Sequence, residues 1–313
     1  MRIVFMGTPA FAVPSFEALA GAGYEIVAAI TQPDRPSGRG NKVVACPVKA
    51  AAAVAGVPAL QFERIRRQEG LDALRALSPD LCVTAAFGQI LSEKVLAIPR
   101  LGTVNVHASL LPAYRGPAPI NWCLIEGALV TGVTTMLTDP GIDTGDILLQ
   151  RETPIGPLET AGSLSERLAA LGAALLLETL EKLEKGALAR IPQDHEKATR
   201  HPMLTKEHGR IDWGRGAKEI ANLVRGVDPW PGAWTTLPQG GALKIWRATA
   251  AEGNGAPGEV VCADGRAGLA VACGEGVLCI LELQAPGTRR MGAAEYLRGR
   301  PMEKGIVLGR EAM

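Results

Sequence analysis

Asn105, His107 and Asp143 are the residues whose types and spacing could do chemistry. The run 101–107 alternates, with Val104 and Val106 on one side and Thr103, Asn105 and His107 on the other. Strand residues two apart share a face, so an amide and an imidazole project side by side from an otherwise apolar strand. The chain then breaks into Ser109-Leu110-Leu111-Pro112 and the turn-rich Ala113-Tyr114-Arg115-Gly116-Pro117. A tight loop, 139–146, adds a carboxylate on Asp143. Such a set suits a reaction at a carbonyl: two donors for a developing oxyanion, and an acid to steady the ring. Alone, His107 reads as a core histidine and Asp143 as a turn residue; together they point to function. The three aspartates of 139–146 lack the spacing and distal Glu of a calcium loop.

The elements around these residues alternate. Strands are expected at 2–6, 25–31, 58–61, 81–85, 102–107, 132–137 and 146–152. Helices are expected at 8–20, 48–55, 68–77, 92–97, 118–126 and 163–185, with a polar loop over 32–42. This alternation predicts an α/β fold, a Rossmann-like, doubly wound, mostly parallel sheet, and ligands of such sheets bind beyond the carboxyl ends of the strands. From 190 to 207 the chain turns polar and reads as a linker. After a helix near 217–224, short strands at 242–247, 258–262, 269–272 and 277–284 suggest a small C-terminal β-barrel of the OB type. The expected domains are therefore 1–189, 190–207 and 208–313.

Composition narrows the function classes. The 313 residues are 47% hydrophobic and carry a formal net charge of +1, so nucleic-acid contact must come from local patches. The six cysteines show no metal-ligand or disulfide spacing, and no metal is expected. Gly and Pro come too early for a signal peptide and no apolar run is long enough to span a membrane, so a soluble cytoplasmic protein is expected. Neither G-x-G-x-x-G, a P-loop nor G-x-S-x-G is present, which argues against redox, NTP-hydrolysing and serine-hydrolase chemistry.

The string 105–120, from Asn105-Val106-His107 through Ser109-Leu110-Leu111-Pro112 to Arg115-Gly116-Pro117, resembles the signature of 10-formyltetrahydrofolate-dependent formyltransferases. With Asp139…Gly141-Ile142-Asp143-Thr144-Gly145-Asp146 it completes their Asn/His/Asp set. The stretches Gly7-Thr8-Pro9, 31–40, Leu204-Thr205-Lys206-Glu207, Arg210-Ile211-Asp212-Trp213 and 229–234 are similar in particular to the branch whose substrate is initiator methionyl-tRNA. Ala10, Phe87 and 201–203 depart from that pattern without touching the set.

The resemblance implies formyl transfer from 10-formyltetrahydrofolate, as co-substrate, to the α-amine of methionyl-tRNA, by a monomer. Asn105 and His107 would hold the oxyanion, and Asp143 would hydrogen-bond and orient His107. Phe87, Gly88, Gln89, Ile90 and Leu91 resemble the segment that holds the pterin, and Ser109, Leu110, Leu111 and Pro112 the folate-contacting turn. Arg35, Arg39 and Lys42, in a basic stretch, and Lys206 would meet the tRNA. Trp230, Trp234 and Trp246 could stack on bases, though core packing is the plainer expectation. The alternatives are an amino-sugar nucleotide formyltransferase, which needs no basic loop, and a non-catalytic tRNA-binding protein, which needs no Asn/His/Asp set.

Overall fold

The computed structural model describes residues 1–37, 42–266 and 268–310; of Ser37 and Lys42 it describes the backbone. Arg39, expected to meet tRNA, lies outside the described residues, as does the side chain of Lys42. The chain divides into two compact units, Met1–Gly116 with Val130–Pro154 and Ser165–His201, and Pro117–Leu129 with Ile155–Leu164 and Pro202–Met313.

In the first unit, β1 (Arg2–Gly7) has Ile3, Val4, Phe5 and Met6 fully buried, as a strand covered on both faces must be. A 3₁₀ turn at Ala10–Ala12 precedes α1 (Val13–Gly21), so the first helix starts later than Thr8. There follow β2 (Glu25–Thr31), β3 (Arg35–Ser37), β4 (Lys42–Val44), α2 (Pro47–Val54), β5 (Ala59–Gln61), α3 (Gln68–Leu77), β6 (Leu81–Ala85), α4 (Glu93–Leu96) and β7 (Thr103–His107). After α5 (Pro119–Ile125), which belongs to the second unit, β8 (Val130–Leu137), β9 (Ile147–Pro154) and α6 (Ala161–Glu184) follow.

Seven strands form one sheet in the order β5-β2-β1-β6-β7-β8-β9. The five from β5 to β7 are parallel, and β8 pairs antiparallel with both β7 and β9, so it alone runs against the rest. This is a Rossmann-like order, with its switch point between β1 and β6. The stretch read as a polar loop, 32–42, instead begins a two-stranded antiparallel ribbon of β3 and β4. Two β-branched residues, Val43 and Val44, favour the extended backbone there.

One core cluster joins Val4, Met6, Ile30, Ile65, Leu71, Leu74, Cys82, Phe87 and Leu91. On the far side of β7, α6 buries Leu168, Leu175, Leu176 and Leu180. A Cβ on Gly172 would stand 2.8 Å from Cγ1 of Val106, so a glycine is what lets this helix lie against β7. Val106 thus anchors one face of the strand while Asn105 and His107 occupy the other. No helix among the described residues is long and apolar enough to cross a membrane.

The second unit contains α5, α7 (Ala217–Gly226), β10 (Ala233–Thr236), β11 (Ala242–Ala251), β12 (Val260–Asp264), β13 (Gly268–Ala272), β14 (Val277–Gln284), β15 (Met291–Gly292) and α8 (Ala293–Gly299). Its antiparallel sheet runs β10-β11-β14-β13-β12, with β15 added to β14. Ile220, Val224, Leu243, Ile245, Val271, Ile280, Leu283 and Leu297 share its core. Strand β10 and helix α8 were not evident in the sequence pattern.

Candidate active site

The ladder sets the first two side chains. Asn105 is in register with Thr84 on β6, and His107 with Thr134 on β8. The Thr84 hydroxyl, itself 5% exposed, donates to Oδ1 of Asn105 at 2.8 Å. The amide carbonyl is thereby held, and the amide N–H groups have no hydrogen-bond partner among the described residues. His107, 7% exposed, donates from Nε2 to the carbonyl of Tyr114 at 3.0 Å. A carbonyl only accepts, so that contact places a proton on Nε2 and leaves Nδ1 to face Asp143.

Asp143 does come to His107, but at 3.7 Å between Oδ1 and Nδ1. That separation is an ion-pair distance and too long for the expected hydrogen bond. The other carboxylate oxygen accepts the Gly116 N–H at 2.8 Å instead. One carboxylate therefore faces the imidazole and also pins the turn that follows β7.

The route by which Asp143 arrives is not the one its position in the chain suggests. Since β8 is antiparallel, Leu137 lies opposite Val104, and the loop 138–146 starts beside the amino end of β7. Its base is three residues short of His107, about 10 Å at ~3.3 Å per strand residue. The loop folds back over that distance. The Thr144 hydroxyl donates to the Asp139 carboxylate, and Gln193 Nε2 donates to the carbonyls of Asp143 and Gly145 at 2.9 and 2.7 Å. Asp143 and Tyr114 both have left-handed backbones, at φ 52° and 57°. Neither is glycine, and such strain of about 1–3 kcal/mol per residue gathers where surroundings force it, commonly at active sites.

The buried Arg115, 2% exposed, braces this arrangement. Its Nε and Nη2 donate to Gln193 Oε1 at 3.0 and 2.7 Å, and Nη1 lies 3.1 Å from Nδ1 of His195. Burial lowers the pKa of its guanidinium; Arg200 adds to this, and Asp139 and Asp143 oppose it. Much of the segment read as a linker is thus bonded into the first unit. Thr199 accepts the Arg115 N–H through its carbonyl and the Tyr114 N–H through its hydroxyl.

The residues expected to meet folate line the same end of the sheet. Segment 86–91 leaves the carboxyl end of β6, at the switch point, where Gln32 Nε2 donates to the carbonyls of Phe87 and Gly88. Phe87 and Leu91 turn into the core, and Ile90 is exposed. Gln89 is clamped by Ile65 N–H and the Phe62 carbonyl. Among the described residues no hydrogen bond uses the backbone of Gln89, Ile90 or Leu91. Leu110, Leu111 and Pro112 form a turn held by Ser109 Oγ, which donates to the Ala113 carbonyl, and by Thr134 and Gln150, which bond Ser109 and Leu111. Among the described residues no group of three or more His, Cys, Asp or Glu could hold a metal ion.

Of the cationic candidates, Arg35 is exposed on β3, and Asp34, the one acid near it, is taken by Lys49 and Gln61. Lys206, in the second unit, is exposed at the start of a 3₁₀ turn, Lys206–Gly209. Trp213 is a core residue of that unit, 5% exposed, whereas Trp230, Trp234 and Trp246, for which core packing was the plainer expectation, are not fully buried. Trp230 is 54% exposed, Trp234 carries Arg210 over its ring, and Trp246 lies between Lys244 and Arg290, each 5.2 Å from the ring centre. Arg225 is drawn inward to Asn222 and the Gly156 carbonyl. Thr84, Gln193 and Arg115 are the site residues that sequence reasoning missed. Thr84 had a signal, a lone hydroxyl in the apolar run 81–85; Gln193 had none beyond its place in a polar segment.

The model of the formyl transferase family matches residues 1–180, and that of the formyl transferase C-terminal domain matches 203–301. The chain is 52% identical over 307 residues to the methionyl-tRNA formyltransferase of Pelobacter propionicus, covering 98% of this chain and 96% of that one. To the enzyme of the same name from Citrifermentans bemidjiense it is 50% identical over 311 residues, 99% and 97% of the two chains. Among solved structures it resembles HypX from Aquifex aeolicus in complex with tetrahydrofolic acid (TM-score 0.66, 20% identity, 99% of this chain and 51% of that one). It also resembles WlaRD, a sugar 3N-formyl transferase (TM-score 0.66, 16% identity, 92% and 99%). At those identities the structural likeness speaks for the fold.

Proposed function

Because the chain belongs to the formyl transferase family, and within it to the methionyl-tRNA formyltransferases, we propose that it moves the formyl group of 10-formyltetrahydrofolate onto the α-amine of initiator methionyl-tRNA, as a cytoplasmic monomer. The observation that carries the reading is the meeting of the Asn105 amide, the His107 imidazole and the Asp143 carboxylate beyond the carboxyl half of β7.

The amine needs little activation, since an α-amine titrates at about 7.7–8.0 and lower beside an ester. It attacks the formyl carbon as the neutral base. As the new C–N bond forms, charge gathers on the formyl oxygen. The N–H groups of Asn105, left open by Thr84, donate to it, a contribution of about 10²–10³ in rate, and His107, once Nδ1 takes up a proton, sets a positive charge beside it. Asp143 compensates the charge on the ring and takes the proton that the attacking nitrogen sheds. The N10–carbon bond then breaks as the proton held by Asp143 passes to N10, which leaves as the neutral N–H amine.

The backbone of 86–91 and the turn at Ser109, Leu110, Leu111 and Pro112 hold the folate. The ribbon meets the acceptor end of the tRNA. Asp34 is committed to Lys49, and the cations Arg35, Arg39, Lys42 and Lys206 contact the phosphates.

Incubation with 10-formyltetrahydrofolate and methionyl-tRNA should give the formylated aminoacyl-tRNA. His107→Ala should lower turnover by about 10²–10³ while folate still binds. A His107→Ala enzyme that turns over at the wild-type rate would remove the imidazole from the mechanism.

A further inference from the structure

We propose that Gln193 is a positioning residue for the reaction, holding the Asp143 loop against His107 with Arg115 as the buried strut behind it. This rests on the assignment of His107 and Asp143 made above.

The loop that carries Asp143 begins beside Val104, at the far end of the strand from His107. A hairpin loop at that place projects away from the site unless something draws it back. Gln193, 6% exposed, does so with both amide N–H groups, on the carbonyls of the residues either side of Thr144. Its Oε1 accepts from two Arg115 nitrogens, so every donor and both acceptor positions of the amide are used. Neither a carboxylate nor an ammonium could do this, since the position must donate on one side and accept on the other.

The cost of the strut argues for function. Arg115 is buried with no carboxylate among its hydrogen-bond partners in the described residues. A buried polar array is often no more stabilising than an apolar replacement of the same volume, so stability alone does not explain it. The same segment also fixes the other arm of the site. Thr199 binds the backbone of Tyr114 and Arg115, and the Tyr114 carbonyl holds Nε2 of His107. Residues 193–199 therefore set the imidazole from one side and the carboxylate from the other.

The test is Gln193→Glu, which still accepts from Arg115 but cannot donate to the loop. Expected is a loss of roughly 10²-fold in kcat, the scale of a misplacement of about 1 Å, with KM for folate and for methionyl-tRNA within about twofold. Melting should show a folded protein; where Q193E does not fold, Gln193→Met keeps the volume and carries the same expectation. Asp143→Asn is made alone and combined with Q193E. If Gln193 works through Asp143, the double variant is no slower than Asp143→Asn by more than about threefold. Full additivity of two large losses would overturn the positioning role and leave Asp143 in the mechanism. An Asp143→Asn enzyme at wild-type kcat would instead sink the assignment of Asp143, and this role with it. A wild-type kcat in Q193E, or a loss seen only in KM, would overturn the proposal directly.

Discussion

Thr84→Val removes one hydroxyl and replaces it with a methyl of nearly the same size. Thr84 is 5% exposed and in register with Met6 on one side and Asn105 on the other, so the swap opens no cavity and leaves the ladder intact. What goes is the 2.8 Å hydrogen bond that turns the Asn105 carbonyl toward β6 and its N–H groups away. A neutral bond of this kind is worth about 1 kcal/mol net, or about fivefold in the preference of the amide for that orientation. The expected effect is therefore a fall in kcat of about fivefold, with KM unchanged, and a Tm lower by about 2–4 °C. Asn105→Ala removes the donors themselves and should cost about 10²–10³. The double variant should match Asn105→Ala alone, because a hydroxyl that only aims the amide has nothing left to aim. Single-turnover formylation at saturating folate and methionyl-tRNA measures all three. Two results would refute the reasoning: a Thr84→Val loss as large as that of Asn105→Ala, or an undiminished loss from Thr84→Val when Asn105 is already alanine.

The ribbon and its base make two further predictions. The Asp34 carboxyl is held below its ordinary value of 3.8, first by the hydrogen bond from Lys49 and then by that from Gln61. An acid whose folded pKa is depressed contributes stability that is complete above its unfolded value and is lost as pH falls through the folded one. Asp34→Asn should accordingly melt below the wild type at pH 7, and the gap should close below about pH 4; a gap that stays constant to pH 3 would contradict the assignment. Arg39→Ala should raise KM for methionyl-tRNA by about tenfold, the scale of one charged phosphate contact, and leave KM for folate unchanged. Equal losses for both substrates would remove the ribbon from tRNA recognition.

The parts of the fold that the sequence made legible are those where burial imposes a period. Runs such as 2–7, 25–31 and 81–85 are apolar on both faces because they lie inside a parallel sheet, and the alternation of 103–107 reports a strand with one polar face. Asn105 and His107 were found by that alternation. The meeting with Asp143 came from motif and resemblance, and nothing local encodes it. Whether β8 runs parallel or antiparallel to β7 is decided by the whole sheet, and only the antiparallel register puts the base of 138–146 at the wrong end of the strand. The polar run 190–207 reads as linker for a related reason. Polar residues in sequence look solvated, while here Gln193 and Arg115 are buried and satisfied by each other. Trp230, Trp234 and Trp246 depart in the opposite direction: core packing was expected for them, and Trp246 is half-buried with two cations at its ring.

The members of the set are held by unlike means, and this bears on which of them can move. Asn105 and His107 sit on a strand laddered to β6 and β8 and backed by α6 through Val106. Displacing them means breaking several main-chain bonds together. Asp143 is carried on a left-handed residue in a loop whose attachments near it are side-chain bonds from Gln193 and Thr144 and one N–H from Gly116. The neutral bonds are worth about 0.5–1.5 kcal/mol net and those to a carboxylate about 1.5–3 kcal/mol, comparable with the strain of about 1–3 kcal/mol that they offset. The distance between Asp143 and His107 is therefore the soft coordinate of the site. Its 3.7 Å keeps the carboxylate facing the ring, yet it leaves Nδ1 outside hydrogen-bond reach and so not committed to Asp143. A tighter loop would bring that nitrogen within hydrogen-bond reach of Asp143, and a looser one would take the carboxylate away from the ring. The segment after α6 sets which of these prevails.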